Sequence, residues 1–250
     1  MAFDLAESTR AMTVPADAVR ELAPSGTLRA AINYGNSVLA RREPGSAGGI
    51  TADLARELAR RLGVPHAFVH YEQAGDVFEG LASDAWDLCF LAIEPVRAAK
   101  IAFTEPYILI EGVYLVPGAS PLHSTVEVDR AGTRVGVIVG SAYDLFLTRE
   151  LKHATLVRRE GPATVIDALL AGDADLVGGV KPQMEADAPR VPGSRLLPEA
   201  FMSIRQAMGT PRGREAAAAY VAQFMSDTKR SGFLAEAFAR NRVQGGSLAP

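Results

Sequence analysis

Residues 86–107 read WDLCFLAIEPVRAAKIAFTEPY. The apolar run from Leu88 to Ile93 has the length of a buried strand, and Glu94-Pro95 stops it. Arg97 follows at once. Open α/β sheets hold their ligands just beyond the C-terminal ends of their strands. A cation at that point is placed to meet a ligand.

On the N-terminal side, residues 28–33 (LRAAIN) form a first strand and 66–71 another. Between them lies a loop rich in Gly, Ser and charge, RREPGSAGG, and then a helix over 52–62. Leu54, Leu58 and Leu62 recur every four residues in that helix, and Gly63 and Pro65 close it. A helix over 76–84 precedes the strand at 87–93. The order β-α-β-α-β predicts a mostly parallel sheet with helices on its faces.

On the C-terminal side, 108–116 (ILIEGVYLV) is one long extended segment. A second β-α-β-α-β set follows, with strands at 134–139, 155–158 and 175–179 and helices near 142–151 and 164–171. An extended piece at 201–208 and helical segments over 212–240 end the pattern, and 14–23 is a short helix before it. The expected fold is α/β, with two Rossmann-like lobes, a central cleft and two extended crossovers. Lobe 1 is expected over 26–112 and 206–245, lobe 2 over 113–205, and residues 1–25 as an N-terminal extension.

The 250-residue chain is 48% hydrophobic, enough for two small cores, and its net charge is −3. Its arginines fall in scattered pairs among acids, so nucleic-acid binding gains no support. The single cysteine, Cys89, reads as a small buried residue. Residues 1–19 contain no apolar stretch of signal-peptide length, and no later run is long enough to span a bilayer. Phosphate-loop, dinucleotide, nucleophile-elbow and H-E-x-x-H motifs are all missing, and no cofactor is expected. His66 and His70 share a strand face but stand too far apart for one metal. Asp173 and Asp175 read as a solvated turn.

Four segments in order resemble the amino-acid type (family 3) solute-binding proteins of ABC importers. They are GGITADLARELARRLGV from Gly48, WDLCFLAIEPVRAAKIAFTEPY, AGTRVGVIVGSAYDLFL and LLAGDADLV. The resemblance covers about residues 26–240. It implies the type II periplasmic binding protein fold, whose lobes close like a hinge over a small solute. It also implies a carboxylate-bearing ligand, an ABC permease as partner, a monomer and no enzymatic activity. A periplasmic or extracellular location is expected, or a cytoplasmic one if Met1 is the native start.

By the same resemblance Arg97 grips the ligand's α-carboxylate. A guanidinium suits that role because it presents two parallel N–H donors to a carboxylate; the plain structural alternative is a surface pair with Glu94 or Glu105. Ser141, with Ala142, opens a helix after a Gly turn. Ser141-x-x-Asp144 reads as a capping box, and free N–H groups there attract an anion. The backbone N–H of Ala92 belongs to the same implied site, though family members often carry Ser or Thr near it.

The chain departs from the family where an amino-acid ammonium is usually met. The aspartate expected near the end of the 175–179 strand is replaced by Val180, with Lys181 next. The first strand ends in Asn33 rather than an acid. An ammonium without a counter-charge is costly to desolvate. The expected ligand is therefore a carboxylate lacking an α-ammonium, or one whose amine meets only neutral acceptors such as Asn33. Lys181 reads either as the partner of a second acidic group or as a solvated hinge lysine. Tyr34, Asn36 and Tyr107 are candidate wall residues. Two alternatives stand beside binding: a dehydratase of cyclohexadienyl type, which needs a buried acid, and a cytoplasmic solute sensor.

Overall fold

The computed structural model describes residues 14–250; most of the expected N-terminal extension lies outside them. The element order is α1 (Ala16–Leu22), β1 (Leu28–Asn33), β2 (Arg41–Glu43), β3 (Ser46–Gly48), α2 (Ile50–Leu62), β4 (His66–Tyr71), α3 (Ala74–Glu79) and β5 (Cys89–Ala92). Next come α4 (Pro95–Ala98), β6 (Ile101–Phe103), β7 (Ile108–Val116), β8 (Arg134–Ile138), α5 (Ala142–Glu150), β9 (Thr155–Arg159), α6 (Pro162–Leu170) and β10 (Leu176–Val180). The chain ends with α7 (Lys181–Asp187), β11 (Arg195–Leu196), β12 (Met202–Pro211), α8 (Glu215–Arg230), α9 (Phe233–Arg240) and β13 (Gly246–Leu248).

In the first lobe β1 lies parallel to β4, with Leu28 opposite His66. A bridge from Ala30 to Leu88 joins β1 to the segment entering β5. Helix α2 covers this sheet with Leu54, Leu58 and Leu62, all buried as their spacing predicts. Burying each is worth about 1.5–3 kcal/mol. In the second lobe β8 runs parallel to β9 and β10.

Two long strands connect the lobes. β7 pairs antiparallel with β12 over Ile108 to Gly112 and with β10 over Gly112 to Leu115. Gly112 is shared by both ladders, so β7 passes from one lobe to the other there. β12 returns and pairs with β5, setting Gln206 opposite Ala92. The C-terminal strand β13 adds to β7 at Ile108 to Ile110.

The two lobes repeat one polar device. Asp87 accepts from the Arg29 backbone N–H at 3.1 Å, from Nε at 2.9 Å and from Nη2 at 2.8 Å. Asp175 accepts from the same three atoms of Arg134, at 2.8, 3.2 and 2.7 Å. In both cases the aspartate N–H returns a bond to the arginine carbonyl at 2.8 Å. Each pair ties a lobe's first strand to the entry of its third. Asp175 is thus an ion-pair anchor, where the sequence suggested a solvated turn. Asp87 is fully buried and takes a second guanidinium, Arg214, ahead of α8.

Three expectations are corrected. Residues 41–48 form the β2-β3 hairpin within the expected loop. The helix expected over 76–84 is α3 followed by a 3-10 turn over Gly80–Ser83. Lys181, read as a hinge lysine or the partner of an acidic group, instead begins a helix, α7, which Pro182 opens in the first turn, where its missing N–H costs nothing.

Candidate functional site

The end of β5, the α4 turn, the end of β1 and the start of β12 face the N-terminus of α5 and the end of β10 across the cleft. A cavity of about 80 Å³ lies between them, measured to the centres of water-sized spheres. By that measure one water needs about 10–15 Å³, so the space suits a small solute.

Arg97 is the cavity's charge. Pro95 and Glu94 turn the chain out of β5 and start α4, which folds Arg97 back under the strand end. The side chain is only 1% exposed. It donates from Nη1 to the Ala92 carbonyl at 3.2 Å and from Nη2 across the cleft to the Gly140 carbonyl at 2.8 Å. Its Nε is buried without an acceptor among the described residues. Burial lowers its pKa to about 10, against the opposing pull of Glu94. The expected alternative of a surface pair with Glu94 or Glu105 is not what forms. Glu94 turns instead to Arg149 of the second lobe, whose Nη1 lies 2.5 Å from its carboxylate.

Opposite Arg97, Ser141 caps α5 by accepting from the Asp144 N–H at 3.0 Å. Asp144 reaches back one residue further than a capping box requires and accepts from the Gly140 N–H at 2.9 Å. The first-turn N–H groups of Ala142 and Tyr143 have no helical partner, and both residues line the cavity. Ala92 lines it too. The Ile93 N–H bonds Arg205 at 2.9 Å, so the alternation of an antiparallel ladder turns the Ala92 N–H and C=O away from β12.

The cavity wall also includes Asn33, Asn36 and Val180, as the sequence suggested. Asn33 and Asn36 are partly committed, accepting from Gly35 at 3.0 Å and Val38 at 3.2 Å. Three candidates fall elsewhere. Tyr34 packs against His70, its hydroxyl 2.8 Å from Nδ1, and lies under the Arg42 guanidinium. Lys181 pairs with Glu111 at 2.7 Å on the crossover strand. Tyr107 is fully buried behind the wall, edge-on to Phe90.

Glu72, Gln183 and Gln206 escaped the sequence reading, and Gln73 lines the wall beside them. Gln73 donates across the cleft to the Glu160 carbonyl at 2.7 Å. Glu72 is the carboxylate in the lining, but it is exposed and paired with Arg42. Gln206 could have been found from β12, where period-2 alternation puts it on the buried face with Ile204 and Met208. The wall is therefore rich in neutral amides around one buried cation.

Two α/β lobes joined by paired crossover strands, with the cavity between them, define a two-lobed solute-binding fold. The chain belongs to the bacterial extracellular solute-binding proteins, family 3, whose profile matches residues 29–241. Among solved structures it is similar to a mutant of ArgBP from T. maritima, at 22% identity, covering 89% of this chain and 98% of that one, with a TM-score of 0.74. The solute receptor for L-cysteine of Neisseria gonorrhoeae gives 20% identity, coverage of 91% and 95%, and a TM-score of 0.75. The reconstructed ancestral amino acid-binding protein AncCDT-1, a precursor of cyclohexadienyl dehydratase, gives 21% identity, coverage of 89% and 97%, and 0.72. At these identities the likeness speaks for the fold. No helix among the described residues is long and apolar enough to cross a membrane.

Proposed function

We propose that the chain captures a small carboxylate-bearing solute between its lobes by hinge closure and serves an ABC-type importer outside the cytoplasm. The observation that carries this reading is Arg97: a buried guanidinium, bonded among the described residues only to backbone carbonyls, facing the N-terminus of α5 across a small cavity. A buried cation without a counter-anion is costly, and a carboxylate supplies one. Charge-assisted bonds of this kind are worth about 1.5–3 kcal/mol each. The N–H groups of Ala92, Ala142 and Tyr143 converge on the same anion, with Ser141 holding the α5 turn in place. Asn33, Asn36 and Val180 form the remaining wall. Residues 26–112 with 206–245, and 113–205, are the units that move.

The wall favours an acid without an α-ammonium. Val180 supplies no carboxylate, and Glu72 is held by Arg42. The same lack speaks against dehydratase chemistry, which needs a buried acid to protonate a leaving hydroxyl. A thermal-shift screen against carboxylic acids tests the reading, because a ligand bound only to the folded state raises the melting point. Arg97→Ala is expected to erase every hit. Hits that survive it place the site elsewhere. Titration with matched amino and keto acids tests the ammonium; clear preference for the amino acid overturns that part alone.

A further inference from the structure

Gln206 is the polar side chain of the cavity that the carboxylate reading leaves without a task. It is 6% exposed, lines the cavity, and stands opposite Ala92, the residue whose carbonyl anchors Arg97. In that ladder position the two side chains project from the same face as close neighbours. The Gln206 Oε1 is buried and has no donor among the described residues. Ala92, Ile204 and Phe90 are apolar on the cavity side; Arg97 bonds Ala92 and Gly140 through Nη1 and Nη2, and its Nε, a buried donor without an acceptor among the described residues, makes no bond to Oε1. A buried amide oxygen left unpaired is costly.

We infer that Gln206 selects a solute carrying a hydroxyl beside its carboxylate, so that the ligand class is a small hydroxycarboxylic acid. This rests on the reading that Arg97 holds the carboxylate. The two ends of a glutamine amide exchange by a half-turn of the terminal group. One orientation shows the solute an acceptor, the other a donor. A hydroxyl both donates and accepts, so it pairs with either end. An ammonium only donates, and it brings a charge that no free carboxylate of the wall balances. A keto oxygen only accepts, so it gives Oε1 no donor.

The test is calorimetric titration at pH 7 with propionate, lactate and alanine, then with butyrate and its 2- and 3-hydroxy forms. A hydroxy acid is expected to bind about tenfold more tightly than its deoxy partner, the scale of one net hydrogen bond. Gln206→Met keeps the length of the side chain and removes the amide; it is expected to lower hydroxy-acid affinity to that of the deoxy acid. Equal binding of hydroxy and deoxy acids to the wild type overturns the inference while the carboxylate reading stands. A hydroxy preference kept by Gln206→Met does the same. If no acid binds, or if binding survives Arg97→Ala, the carboxylate reading fails and this inference fails with it. If Gln206→Met does not fold, Gln206→Asn is measured instead: the shortened amide is expected to reduce the hydroxy-to-deoxy ratio, and an unchanged ratio overturns the inference.

Discussion

Glu94 and Arg149 join the two lobes through a carboxylate that is almost wholly buried, with Arg149 Nη1 at 2.5 Å. Glu94 leaves β5 on one side of the cleft, and Arg149 sits in the last turn of α5 on the other. In the proposed hinge closure this ion pair forms only as the lobes meet. Arg149→Met strands the Glu94 carboxylate inside the closed form. Removing one partner of a fully buried pair costs about 3–5 kcal/mol. Arg149 is more than a third exposed, so solvent screening reduces the expected loss to about 1–2 kcal/mol. Solute affinity is expected to fall about tenfold, with a larger ligand-free radius of gyration in solution scattering. Unchanged scattering and affinity would remove Glu94–Arg149 from the closure.

Gly140 and Gly75 meet backbone to backbone across the cleft, and the two respond differently to a methyl group. Gly140 has φ +67°, and a Cβ there would stand 3.0 Å from the Gly75 Cα. Gly140→Ala is expected to cost about 1–2 kcal/mol for the left-handed backbone alone and to oppose closure as well. A Cβ on Gly75 has its nearest neighbour at 3.6 Å, an ordinary contact, and Gly75 lies within α3. Gly75→Ala is expected to be neutral or to stabilise by up to about 1 kcal/mol. Melting curves and solute titrations of the two variants check this; equal losses contradict it.

On the proposed reading, the charge on Arg97 sets the pH range of binding. Burial lowers its pKa from the usual arginine range to about 10. Between these values the unfolded chain holds a proton that the folded protein has released. This group therefore destabilises the fold at neutral pH, and the penalty is relieved as pH rises past about 10. Binding runs the other way, because a carboxylate needs the cation. Affinity is expected to stay level from pH 7 to 9 and to decline through about 10, approaching tenfold per unit above it. Calorimetry across that range checks it. A decline centred near pH 7 points to another group.

Val180 lines the cavity from the end of β10, at the position where the family resemblance leads one to expect an aspartate. Val180→Asp supplies the missing counter-charge for an ammonium. It is expected to move the preference toward amino acids by at least about tenfold, measured as the ratio of affinities for matched amino and keto acids. No change in that ratio shows that the ammonium is met elsewhere.

The local pattern of the chain was readable without the fold. β1, β4 and β7 run between the residues expected from the sequence. The four-residue spacing of leucines marked α2, which begins two residues earlier than expected, at Ile50. Arg97 and Ser141 were legible because each directly follows the end of a strand, where an α/β sheet opens its cleft. These are properties of neighbouring residues, set by side-chain alternation and by where Gly and Pro stop an element.

Partnerships were not legible, because they join residues far apart in the chain. Nothing local tells that Glu94 is taken by Arg149 rather than by Arg97, 55 residues being spanned, or that Lys181 turns to Glu111 and away from the cavity. Alternation along β12 marks Gln206 as inward-facing, but only the pairing of β12 with β5 makes it a wall residue. The amino-acid order by itself determined the two lobes, the strand ends and the cation between them. The tertiary structure decided which polar atoms are spent on one another and which remain for a solute, because burial and hydrogen-bond partners exist only after the lobes have met.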